Sequence, residues 1–160
     1  MRRVFFSFHH QNDILRIGQV RNSWVTKPNQ QHAGFVDAAS WEAIKRQGDD
    51  AVKRWIAAQL DGTSVTVVLI GSETASRPWV LYEISESHNK GNGLLGIYIH
   101  NCRDLTGRTC YQGANPFEHV HYTQSRRSLA SEYPVYDWVT DGGYNNMGAW
   151  VEAAARKAGR

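Results

Sequence analysis

Residues 64–84 read SVTVVLIGSETASRPWVLYEI, and the fold is decided in this stretch. Ser64 to Ile70 is a run of β-branched and aliphatic residues with no polar alternation, the pattern of a strand buried on both faces. Gly71 ends it. Pro78 suits the first position of a helix, and the spacing predicts that helix through Trp79, Tyr82, Glu83 and Glu86 to about Asn89.

The same alternation extends in both directions. Towards the N-terminus, Val4 to Phe8 reads as a second buried strand. A helix is expected from Asn12 or Asp13 to about Trp24, with Ile14, Leu15, Ile17 and Val20 at helical spacing. Gly34 to Asp37 is a brief strand candidate, and Trp41 to Lys45 a helical turn. Asp49 or Asp50 caps a further helix in which Val52, Trp55, Ile56 and Leu60 share one face, stopped by Asp61-Gly62. Towards the C-terminus, Gly91-Asn92-Gly93 breaks the chain before a strand over Leu94 to Ile99. Residues 101–131 are turn-rich, Val135 to Trp138 suits a short edge strand or docking segment, and a last helix runs from Asn145 or Asn146 to about Lys157. Apolar strands alternating with amphipathic helices predict an α/β fold: a flavodoxin-like open parallel sheet with helices on both faces, formed by residues 1–160 as one domain.

Composition narrows the function classes. The chain has 160 residues with 18 Lys+Arg against 15 Asp+Glu, a net charge of 18 − 15 = +3. A nucleic-acid binder needs a basic stripe that meets several phosphates, whereas here the cations are scattered from Arg2 to Arg160. No stretch has the roughly 7–15 apolar residues of a signal peptide or the roughly 20 of a membrane helix, so neither nucleic acid nor membrane is expected as a partner and a cytoplasmic location is. Cys102 and Cys110, with seven residues between them, match neither a zinc nor a redox spacing. Two free thiols are expected, with a loop disulfide as the alternative. Among the seven histidines, His9-His10 and His119-Val120-His121 lack a third ligand at any recognised spacing, so no metal site is expected.

In an open parallel sheet, ligands bind beyond the carboxyl ends of the strands, near the point where strand order reverses. The predicted strands place Ser7, Phe8 and His9 there, then Asp37, then Gly71, Ser72 and Glu73. Neither a GxGxxG nor a GxxxxGK[ST] cradle is present, and the acidic cluster of a receiver domain is replaced by Ser7-Phe8-His9-His10. Trp79 and Glu83, four apart, project from one face of the helix beside the best strand. An aromatic ring beside a carboxylate suits a cationic or nucleotide-like ligand. From the spacing alone a core tryptophan and a solvated surface glutamate are the commoner reading.

The string Trp79-Val80-x-x-Glu83-Ile84 after VVLIGS resembles the active-site helix of TIR (Toll/interleukin-1 receptor) domains that cleave NAD, and Val4 to Phe8 resembles the first box of that family. The segments RVFFSFHHQND (3–13), RNSWVTK (21–27), Gly34 to Trp41, SVTVVLIGS (64–72), RPWVLYEI (77–84), GIYIHN (96–101), NPFEH (115–119) and VYDWVTDGGYNN (135–146) are similar to the TIR-like subunit of the Thoeris anti-phage system. The likeness spans nearly the whole chain, which is shorter than some relatives between Glu118 and Ser131. The resemblance implies NAD as substrate with no further cofactor, Glu83 as the catalytic residue, and a cyclic ADP-ribose isomer as the product. That product would activate a separate effector protein. Ser7, Phe8 and Asp37 would line the nucleotide groove and Trp79 would wall it; His9, which follows the first strand, is a candidate for the pocket rim, and Ser72, after the third strand, a candidate substrate contact. Assembly into a homo-oligomer is compatible with this reading. Two rivals stay open: a non-catalytic TIR adaptor that acts by homotypic assembly, and a nucleoside N-ribosyl hydrolase or transferase acting on another nucleotide.

Overall fold

The computed structural model describes residues 2–10, 13–27, 30–36 and 38–160. Five strands, β1 (Arg2–Ser7), β2 (Gln30–Ala33), β3 (Val65–Ile70), β4 (Gly93–Tyr98) and β5 (Val135–Asp137), form one sheet in the order β2-β1-β3-β4-β5. All four pairings are parallel. The helices are α1 (Ile14–Val25), α2 (Ala38–Arg46), α3 (Asp49–Leu60), α4 (Pro78–Lys90) and α5 (Gly143–Lys157). This is the flavodoxin-like strand order, and it reverses between β1 and β3.

Strand alternation divides the core between the two faces. Val4, Phe6 and Phe8 with Val65, Val67 and Leu69 point to one side, where Ile17, Val20 and Trp24 of α1 and Met147, Val151 and Ala154 of α5 cover them. Val68 and Ile70 point to the other side, against Val80 and Ile84 of α4. Phe5 packs there with Trp41 of α2 and Val52, Ile56 and Leu60 of α3. Every residue of β3 is buried, which explains why its sequence lacks alternation.

Several expectations are corrected by tertiary context. The second strand lies at Gln30–Ala33 rather than at residues 34–37. As an edge strand it is held to β1 by its backbone, so it needs no apolar run, while Phe35 turns its ring onto Phe6 and Phe8. Trp41 to Lys45 belong to a nine-residue helix. Asp13 stands at the N-cap position of α1 but makes no side-chain cap; its carboxyl group is buried instead. Asp49 and Asp50 occupy the first turn of α3 behind Gly48 at the cap, where acidic residues favour the positive helix end. The last helix begins at Gly143, two residues before the expected asparagines. Trp55 and Trp150 are half-buried at the margins of their clusters. Cys102 and Cys110 are both free thiols, and burial pushes the Cys102 thiol up to about 12, which leaves it protonated and unreactive.

Candidate active site

The helix α4 starts at Pro78, whose missing N–H is no loss at a helix start. It ends at Gly91, which takes the left-handed conformation (φ 88°) that glycine adopts without strain. Between these limits its inward face carries Val80, Glu83, Ile84 and Ser87. Two of these four are polar, and each meets a hydroxyl on the sheet. Thr66 Oγ1 lies 2.7 Å from Ser87 Oγ, and Ser7 Oγ donates to Glu83 Oε1 at 3.2 Å. Ser7 is the last residue of β1 and pairs with Val68 of β3, so Glu83 reaches the carboxyl end of the sheet where strand order reverses.

Glu83 is 1% exposed, so it is no solvated surface glutamate. Burial drives its carboxyl pKa well above the ordinary range, opposed only in part by the Ser7 hydrogen bond. Its second oxygen, Oε2, has no hydrogen-bond partner. A buried acceptor without a partner costs stability, and such groups are concentrated where a ligand supplies the missing contact.

Glu83 stands in the wall of a cavity of about 190 Å³ that is also lined by Phe8, His9, His10, Trp41, Lys45, Arg77, Pro78, Trp79 and Val80. His10 is 2% exposed and stacks on Trp41 with ring centroids 4.5 Å apart and planes 12° apart. Burial pushes its pKa down to about 4, so this wall is neutral and aromatic. His9 is also buried, its Nδ1 has no partner, and its pKa is lowered by burial and by the nearby charges of Arg77 and Lys45. Trp79 is half-buried and sets its ring edge-on to Tyr82, centroids 5.4 Å apart.

The loop between β3 and α4 is fastened from beneath. Gly71 N–H donates to Thr74 Oγ1 at 2.8 Å, and the Thr74 side chain also hydrogen-bonds the buried Asp13 carboxyl, which burial raises to about 6. A Cβ on Gly71 would lie 2.3 Å from Asp13 Oδ2. Only glycine permits so close an approach.

Of the residues singled out from sequence, the structure brings Phe8, His9, Trp79 and Glu83 into one cavity, with Ser7 hydrogen-bonded to Glu83. Ser72 is not among them: it lines a separate open depression with Glu73, Ala75 and His119. Asp37 lies outside the described residues. Six lining residues escaped sequence reasoning as site residues, and Pro78 and Val80 among them simply flank Trp79. His10 and Arg77 adjoin residues already singled out, so proximity was an available signal. Trp41 and Lys45 come from α2, which carries no strand-end signal at all. Among the described residues no His, Cys, Asp and Glu side chains gather to hold a metal.

A five-stranded parallel sheet with a buried glutamate on the helix after β3, beside the aromatic that precedes it by one turn, is the arrangement of a TIR-like domain. The family described as "Thoeris protein ThsB, TIR-like domain" matches residues 5–104. The chain belongs to that family. The matched stretch holds every residue that lines the Glu83 cavity. A protein of Bacillus cereus (strain MSX-D12) named "Putative cyclic ADP-D-ribose synthase ThsB1" is 41% identical over 189 aligned residues, covering 94% of this chain and 98% of that one. No helix among the described residues is long and apolar enough to cross a membrane.

Proposed function

We infer that this protein cleaves NAD at the bond between nicotinamide and ribose and closes the remainder into a cyclic ADP-ribose isomer, as a signal in anti-phage defence. The observation that carries this reading is the buried carboxyl group of Glu83 in the wall of a cavity, with one oxygen held by Ser7 and the other without a partner. Family membership and the name of the Bacillus cereus relative support it.

The chemistry asks for few groups. Ordinary glycosidases use two carboxyl groups because the leaving oxygen must be protonated while the sugar cation is stabilised. Nicotinamide in NAD is already cationic. When its bond to the ribose carbon breaks, the electron pair stays on the ring nitrogen, nicotinamide leaves neutral, and the positive charge passes to the ribose. A second nucleophile on the same molecule then bonds to that carbon and releases one proton. NAD thus yields nicotinamide, the cyclic product and a proton. The Glu83 carboxylate stabilises the ribosyl cation and holds the ribose hydroxyls.

In the empty site burial disfavours the charge of Glu83 and raises its pKa. The cationic ligand favours the carboxylate, as an opposite charge at close range does. Trp79 packs against the ligand, His10 and Trp41 present an aromatic wall, and a ligand that fills this small cavity displaces water, which gives the internal nucleophile its advantage. Phe8 and His9 complete the lining, and Ser7 holds Glu83 from behind it. The product, released, would act on a separate effector protein.

The test is to incubate the purified protein with NAD, alone and with phage-infected lysate, and to resolve products by chromatography and mass. A new species lighter than NAD by nicotinamide, absent with Glu83→Gln of unchanged circular dichroism, is the expected result. Untouched NAD in the infected lysate overturns the reading. A product carrying one added water in place of the cyclic species keeps the cleavage and removes the cyclisation.

A further inference from the structure

We propose that His9, Lys45 and Arg77 form a diphosphate-binding site at the mouth of the Glu83 cavity, which selects a dinucleotide over a nucleoside. The proposal rests on the NAD reading and adds to it the group by which the substrate class is recognised.

Three observations converge. His9, Lys45 and Arg77 reach the cavity from three different elements, the end of β1, α2 and the start of α4, and all three line it. They stand close enough that the charges of Arg77 and Lys45 each act on the His9 ring. Two of the three carry a buried nitrogen without a partner in the folded protein. His9, 8% exposed, has an Nδ1 with no partner, and Arg77 has a buried Nε with no partner. Buried polar groups in folded proteins are nearly always satisfied, and the Arg77 Nε–H is always a donor, so its missing partner, beside a lysine and a second unpartnered ring nitrogen, marks a place shaped for an absent acceptor.

The acceptor they fit is an anion with several oxygens. Guanidinium and ammonium groups are the common recognition elements for phosphate, the guanidinium through its fixed fork of donors. Arg77 also stands at the N-cap position of the 13-residue α4, and the positive end of a helix adds to the attraction for a phosphate. Both cations are engaged at rest, Lys45 with Glu42 at 2.8 Å and Arg77 with Glu73 at 3.3 Å. These are pairs between near neighbours on part-exposed helix and loop surface, and such contacts are weakly held. They park the two cations without blocking Arg77 Nε, because Glu73 takes a terminal guanidinium nitrogen.

The arrangement divides the labour within one cavity. At its floor a single carboxyl group meets the ribose and the developing cation. At its mouth, cationic donors meet the diphosphate, so that the bond to be broken is placed by the far part of the substrate. Binding energy from non-reacting groups serves catalysis in this way.

The test uses the full chain carrying Glu83→Gln, so that nothing is consumed, and measures binding of ADP-ribose and of nicotinamide riboside by calorimetry. Adding Lys45→Gln and Arg77→Gln is expected to weaken ADP-ribose at least tenfold and to change nicotinamide riboside less than twofold. Arg77→Lys, which keeps the charge and loses the Nε donor, should fall between. In NMR spectra the His9 ring signals should move on adding ADP-ribose and stay in place with nicotinamide riboside. Unaltered ADP-ribose affinity in the double variant overturns the proposal, as does an equal loss for both ligands, which would mean damage to the whole cavity. If the wild-type chain binds ADP-ribose through these residues yet never turns over NAD, the catalytic reading fails while the diphosphate site stands.

Discussion

Two cavities among the described residues differ sharply in promise, and the larger of the pair is the less informative. It measures about 560 Å³ and lies between the end of α4, the start of β4 and α5, with Tyr136 and Trp150 among its walls. Tyr136 and Trp150 are stacked on each other, planes 3° apart. His88 Nδ1 pairs with the Tyr133 hydroxyl, and the Lys157 ammonium donates to the Glu132 carbonyl. None of the buried side-chain atoms that lack a partner among the described residues belongs to this cavity. The smaller one, about 190 Å³, gathers three: His9 Nδ1, Arg77 Nε and Glu83 Oε2. Volume reports how loosely helices pack, whereas unspent hydrogen-bonding capacity reports where the fold has kept groups in reserve for a ligand.

The largest expected effect comes from Glu83→Gln, which keeps the shape of the floor and removes its charge. NAD turnover should fall by about 10²–10³ or more, in the range seen when one preorganised electrostatic group is lost. The same variant should be at least as stable as the wild type. A buried acid with a raised pKa stays protonated in the folded chain while the unfolded chain ionises above its ordinary value of 4.5. The wild type therefore loses stability as pH rises from there towards the folded pKa. Melting curves should show the variant ahead at about pH 8 and level with the wild type at about pH 4. A variant less stable at pH 8 would mean that Glu83 is held charged by contacts not recognised in the present site.

Gly71→Ala probes the support beneath the smaller cavity. Its new methyl would collide with the buried Asp13 carboxyl, and overpacking of this kind costs about 1–3 kcal/mol. Urea unfolding should show that loss, and full stability would imply that α1 and the β3–α4 loop move apart freely. Ser7→Ala should act through Glu83. Activity that depends on the carboxylate rises with pH, and Ser7 holds that pKa down, so the variant's pH–rate profile should move to higher pH. Turnover at neutral pH should fall by about tenfold, the equivalent of one hydrogen bond to a charged group. An unshifted profile would separate the hydroxyl from the ionisation. The smallest effect belongs to the larger cavity. Ala153→Phe, which projects into it from α5, should leave NAD turnover within twofold of the wild type. A large loss there would erase the distinction between the two cavities.

Within α4 the same contrast appears one turn apart. Ser87 and Thr66 satisfy each other, joined by Asn92, and read as structure. Glu83 and Ser7 leave one carboxylate oxygen over, and read as function. Sequence spacing placed Glu83 on the helix face shared with Trp79, and could not say whether that face was wet or dry. Surface glutamates and buried ones look alike in a sequence, because burial depends on what the sheet sets opposite.

The chain order of buried strands and amphipathic helices was legible because each element announces itself over four or more residues through its own periodicity. β3 and α4 did so most clearly, being buried along their inner faces. The polar edge strand β2 was placed four residues late, since an edge strand is recruited by its neighbour's backbone and needs no apolar run of its own. The residues at the carboxyl end of β1 were likewise legible: the positions of Ser7, Phe8 and His9 follow from strand ends and the geometry of parallel sheets. Trp41 and Lys45 were not, because α2 is brought over the cavity by packing between elements distant in sequence, and Ser72 left it because the β3–α4 loop folds back on Asp13. Local sequence determined which elements form and which ends of the sheet face the ligand. Only the tertiary structure decided which oxygen and nitrogen atoms were left without partners, since satisfaction is a property of neighbours and not of residues.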